Sequence, residues 1–131
     1  MWTVTTNDHQ NLILIKSDET LDFNSLRNVL KQIYFENEGR YSSYNRFADL
    51  SGLEKIEVDI DTLVSNVQVY RKVNPPKDDV KIAVFLSFGT TSALAQLYKM
   101  MTEDDAFGIQ VFRALDECAD YLSVDKALLW I

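Results

Sequence analysis

Leu12-Ile13-Leu14-Ile15 runs apolar with no alternation. Successive side chains of a strand point to opposite faces, so four apolar residues in a row predict a strand covered on both sides, as in α/β sheets. Working outward, Trp2, Val4 and Thr6 alternate with Thr3 and Thr5 at the period of a half-buried strand. Between them, Asn7-Asp8-His9-Gln10-Asn11 is turn chemistry, because Asn and Asp tolerate left-handed backbone and bond to nearby amides. Residues 1–16 therefore predict a hairpin.

Downstream the period lengthens. Asp22 is placed to cap a helix, with Leu21 and Leu26 at the spacing of a hydrophobic staple. Phe23, Leu26, Val29, Leu30, Ile33 and Tyr34 form its apolar stripe, and Arg27, Asn28, Lys31 and Gln32 face away. Tyr44 to Asp49 reads as a third strand, ending at Leu50-Ser51-Gly52. A second helix begins near Asp59, with Ile60, Leu63, Val64, Val67 and Tyr70 on one face, and Asn74-Pro75-Pro76 stops it. Val80 to Leu86 is a fourth strand. Gly89 with Thr90, Thr91 and Ser92 supplies a turn and cap for a third helix striped by Leu94, Leu97, Tyr98 and Met101. Ile109 to Phe112 is a fifth strand, and Asp116 is read as the cap of a fourth helix through Leu122; the apolar tail from Ala127 stays unassigned.

The order is β-β-α-β-α-β-α-β-α. A hairpin followed by strand-helix alternation predicts an α/β fold with a mixed, mainly parallel sheet and right-handed crossovers. The 131 residues, 47% apolar, fit one domain spanning 1–131 and can bury a substantial core. Twenty acids against 13 Lys plus Arg give a net charge of −7, which argues against a nucleic-acid partner. A single cysteine, Cys118, excludes an intramolecular disulfide framework and a Cys-cluster zinc site. No run is long and apolar enough for a membrane span, and the start lacks a basic-then-apolar leader. The expectation is a cytoplasmic protein, monomer or homodimer, with no cofactor.

With that element order, the segment Phe47-Ala48-Asp49-Leu50-Ser51-Gly52-Leu53 resembles the STAS family. That family covers sulfate transporters and anti-sigma-factor antagonists, and includes a SpoIIAA-like branch of small stand-alone proteins. It writes a strand ending in Asp-Leu-Ser-Gly, then Asp-Ser-Ser-Gly-Leu opening the next helix; the second motif is matched here by Asp59-Ile60-Asp61-Thr62-Leu63. Lys81 to Phe85 and Phe112 to Leu122 are similar to later elements of the SpoIIAA-like branch. The resemblance spans Val4 to Leu122 and implies a five-stranded sheet with four helices, mostly on one side. It also implies a non-enzymatic regulatory module. In phospho-switch relatives the second serine of the helix-opening motif accepts phosphate, and Asp61 stands at that place. A carboxylate is not phosphorylated by that chemistry, yet it supplies part of the charge a phosphate would bring to a helix N-terminus. Thr62 and Ser51 retain hydroxyls able to accept phosphate.

Two readings of function follow. In the first, Ser51, Asp59, Asp61 and Thr62 form an edge that meets a protein partner bearing a basic patch; helix capping alone is the plainer account of the two acids. In the second, Phe88, Leu94, Tyr98 and Met101 line a cavity for an apolar small molecule or lipid, although stripes at that spacing are usually core. The Phe88-Gly89-Thr90-Thr91-Ser92 turn lacks the lysine and glycine spacing of a P-loop. His9, the single histidine, has no partner at metal-ligand spacing. Cys118 reads as a small buried hydrophobe. No nucleophile-base-orienter set is visible, so an enzyme is not expected.

Overall fold

A computed structural model describes residues 2–34, 41–73, 77, 79–86 and 109–129. The elements are β1 (Thr3–Asn7), β2 (Leu12–Lys16), β3 (Thr20–Leu21), α1 (Phe23–Tyr34), β4 (Asn45–Asp49), β5 (Lys55–Ile56), α2 (Ile60–Val73), β6 (Ile82–Phe85), β7 (Ile109–Phe112), α3 (Leu115–Leu122) and a 3-10 turn (Lys126–Leu129). Five strands form one mixed sheet in the order β1-β2-β4-β6-β7. Only β1 runs antiparallel, pairing Thr6 with Ile13 and Asn7 with Leu12 across the hairpin. The expected third helix, with Leu94, Leu97, Tyr98 and Met101, lies outside the described residues, as does Asn74-Pro75-Pro76.

The hairpin turn is built as its residue types predict. Gln10 N–H donates to the Asn7 carbonyl at 3.3 Å and to its Oδ1 at 3.2 Å. Asn11 takes the left-handed backbone (φ 50°) that closes the turn, a conformation Asn adopts more readily than most residues. Its carbonyl then accepts the N–H of Asn45 at 3.0 Å, tying the turn to the start of β4.

α1 begins on the Asp22 cap. Ser25 N–H donates to Asp22 Oδ1 at 2.8 Å, and Asp22 N–H donates back to Ser25 Oγ at 3.0 Å. This reciprocal pair satisfies two amides that a helix start would leave orphaned. The Ser25 amide and hydroxyl hold the Asp22 carboxyl below its usual pKa. Leu21 and Leu26 are both buried, as the staple requires. Phe23 departs from the expected stripe: at the first helical position it is 43% exposed, with the Arg27 guanidinium 5.8 Å above its ring.

The run at residues 12–15 divides the core in two. Ile13 and Ile15 join Leu26, Val29, Leu30, Ile33, Leu63 and Val84 under α1 and α2. Leu12 and Leu14 turn to the other face, where Phe47, Ala83, Cys118, Ala119, Leu122 and Leu129 meet them. Among the described residues α1 and α2, two of the three helices, cover one face, and α3 with the 3-10 turn covers the other. The physical reason lies in connectivity. α1 and α2 are crossovers between parallel strands advancing in one direction, which right-handedness sends to a single face. α3 follows the last strand of the sheet and obeys no such rule. Without it the Leu12 and Leu14 face would meet water.

Asp116 does not cap α3. Ala114 occupies the cap position in extended conformation (φ −129°, ψ 139°) with no side-chain cap bond. Asp116 sits in the first turn and pairs with Lys126 at 3.0 Å. At the other end Ser123 takes the left-handed conformation (φ 58°). Its N–H donates to Asp120 carbonyl at 3.2 Å and Val124 N–H to Ala119 carbonyl at 3.1 Å, the Schellman pattern. That reversal turns the tail back so that Leu129 is 1% exposed against the α3 face. Trp130 and Ile131 lie outside the described residues.

Candidate interaction site at the α2 N-terminus

Parallel strands end at one edge of the sheet, and the connections leaving that edge carry sites in α/β folds. Here β4 ends at Asp49. Its Oδ1 accepts the backbone N–H of Ser51 at 2.9 Å and the Ser51 hydroxyl at 2.6 Å. Two acceptor bonds to one oxygen fix a tight turn, which Leu53 N–H to Leu50 carbonyl (3.1 Å) closes. Leu50 and Leu53 are buried while Ser51 and Gly52 are exposed. A Cβ on Gly52 would meet nothing within 4 Å, so the turn does not demand glycine on steric grounds.

β5 then pairs with β3 in a two-residue parallel ladder, Thr20 opposite Lys55 and Leu21 opposite Ile56. Glu54 and Lys55 N–H groups both donate to the Glu19 carbonyl, at 2.7 and 2.9 Å, and Glu57 N–H donates to Leu21 carbonyl at 2.8 Å. The Trp2 indole N–H donates to the Thr20 carbonyl at 2.9 Å, so the ladder is also tied to the chain entering β1.

The chain next enters α2. Asp59 caps it: its Oδ2 accepts the Thr62 N–H at 3.3 Å, and its carbonyl accepts the Leu63 N–H at 2.9 Å. Asp61 is exposed in the first turn, with no hydrogen bond or ion pair to it among the described residues. Thr62 is half-buried, and its carbonyl accepts Asn66 Nδ2 at 2.8 Å. Both carboxylates stand where the helix macrodipole favours negative charge.

The first turn of α2 thus brings Asp59, Asp61 and Thr62 together. Ser51 sits on the preceding turn of the same edge, its hydroxyl spent on Asp49. Asp59 has its carboxylate engaged in capping, whereas Asp61 presents its carboxylate to solvent. Sequence reasoning missed Asp49, and it missed the exposed acids Glu19, Glu54 and Glu57, which the β3–β5 ladder draws toward this edge. A two-residue ladder leaves no periodic trace; the only signal was acid density between residues 49 and 61. Phe88, Leu94, Tyr98 and Met101 lie outside the described residues.

Cys118 is fully buried, and desolvation, with the nearby Glu117 and Asp49 charges, pushes its thiol up to about 12. It is protonated at neutral pH, and thiolate is the nucleophilic form. His9 lies in the exposed hairpin turn. Among the described residues no group of three or more His, Cys, Asp or Glu side chains is placed to hold a metal ion. None of the described helices is long and apolar enough to cross a membrane. Comparison with protein-family models, with curated proteins and with solved structures found no match to this chain.

Proposed function

We propose that the chain is a non-catalytic interaction module of STAS-like type that meets a basic patch on a protein partner through the α2 N-terminus. The observation that carries this reading is Asp61: an exposed carboxylate in the first turn of a helix whose cap is already supplied by Asp59. Capping engages the Asp59 carboxylate, whereas Asp61 complements the helix dipole while still presenting its carboxylate to solvent. Glu54, Glu57 and Asp59, all exposed, extend the negative surface around it. Such a surface contributes specificity and association rate more than bulk affinity. A carboxylate does not accept phosphate by serine chemistry, so the contact carries no phosphoserine switch at this position.

The test is a quantitative pull-down with the full chain as bait. A basic protein should be recovered by the wild type, released as salt is raised, and depleted at least about tenfold by Asp61→Lys, the scale of a reversed charge in a salt-sensitive contact. Lys77→Glu, at an exposed position preceding β6, serves as the control. Equal recovery by wild type and Asp61→Lys defeats the proposal.

A further inference from the structure

A second polar feature lies between the helices. A groove of about 370 Å³ runs along the outer face of α1, lined among the described residues by Asn24, Arg27, Asn28, Lys31 and Tyr70. Its volume falls at the lower end of the roughly 300–1,000 Å³ typical of small-molecule sites. The four α1 residues sit at i, i+3, i+4 and i+7, one face of the helix. Every one of them donates N–H groups, and no carboxylate lines the groove among the described residues.

Helix stability does not explain that choice of residues. Asn is a poor helix former and appears twice. Arg27 and Lys31 are like charges four apart, an arrangement that weakens a helix. Lys31 is in the last turn, where the dipole suits a cation, but Arg27 lies mid-helix, where the dipole gives it no such support. α1 contains no acid to compensate, in a chain with 20 of them. The Phe23 ring beneath Arg27, 5.8 Å from the guanidinium carbon, limits where that fork can point. Two full positive charges flanked by neutral amide donors, with no carboxylate among the described lining residues, are the complement of an oxyanion.

We infer that this groove binds a small organic phosphate, its phosphoryl group held between Arg27 and Lys31. The Asn24 and Asn28 amides complete the donor set, and the Tyr70 ring contacts the organic portion. A doubly charged tetrahedral group balances both cations, whereas the single charge of a carboxylate balances only one. The inference is independent of the α2 N-terminal reading. Tyr70 is nine residues along α2 from Asp61, about 14 Å of helix.

The experiment is calorimetric and NMR titration of the full chain with phenyl phosphate, inorganic phosphate and benzoate at fixed ionic strength. Phenyl phosphate should bind saturably and more tightly than inorganic phosphate, with benzoate weakest and amide shifts centred on residues 24–31 and 70. Arg27→Ala and Lys31→Ala should each weaken phenyl phosphate about tenfold, the scale of one charge-assisted bond. Arg27→Lys should recover part of that loss. Absence of saturable binding, equal affinity for benzoate, or an unchanged affinity in the Arg27→Ala/Lys31→Ala double variant would overturn the inference.

Discussion

Cys118 shows how burial alone decides the chemistry of a residue. Its side chain lies in the cluster with Leu12, Leu14 and Phe47, with no exposure, and the nearby Glu117 and Asp49 charges oppose its ionisation. Because the folded thiol titrates near 12 and an unfolded one near 9, folding favours the protonated form. The stability so gained is complete below the unfolded value and is lost as pH rises toward the folded one. Between those values the unfolded chain has released a proton the folded chain retains, so stability should fall by about 1.4 kcal/mol per pH unit from this group. Denaturant titrations of wild type and Cys118→Ala between pH 8 and about 11 check this. The wild-type curve should fall more steeply, while the small cavity left by the sulfur gives a difference independent of pH. Native protein should also resist alkylating reagents that label the unfolded chain. The residue type was readable as core from Ala119 and Leu122 nearby, whereas its nearness to Asp49, far away in sequence, required the fold.

At the scale of elements, α3 is held at its two ends by different means. Its start has no side-chain cap, and its end relies on Ser123 in the left-handed region, where a Cβ is unfavourable. Ser123→Gly keeps both Schellman hydrogen bonds and removes that strain. It should raise stability by about 1 kcal/mol, visible as a higher denaturation midpoint with unchanged slope. The reversal at Ser123 brings Leu129 into the core, and Leu129→Ala should cost about 2–5 kcal/mol. A smaller loss would mean the tail is only loosely docked. Legibility followed element length here. The stripe of α1 and the strand at Ile109–Phe112 were readable because each is a run of several residues with one period, and the Asp22 cap because its type stands beside the Leu21 and Leu26 staple. The α3 cap was misassigned because Asp116 looks like a cap by type, while the backbone at Ala114 is what begins the helix. β3 and β5 were invisible, since two residues have no period at all.

For the whole molecule, the apolar run at residues 12–15 was the most informative stretch, because it required cover on both faces of the sheet. That requirement is met by α1 and α2 on one face and by α3 with the 3-10 turn on the other. The distribution of charge was only partly legible. Net charge showed an acidic chain, yet the separation of acids at the carboxyl edge from the donor-lined groove on α1 emerges from the fold. The candidate edge was readable at Asp59 and Asp61, two positions apart in sequence, and unreadable at Glu19, which arrives through a tertiary contact. The ladder responsible for that contact also decides how the edge can recognise anything. By stitching the β2–α1 and β4–α2 connections to each other, and through the Trp2 indole to the sheet's border, it turns what would be two independently wandering loops into a stiff template. A stiff template surrenders little conformational entropy on docking, so a partner here would meet a surface already in its bound shape.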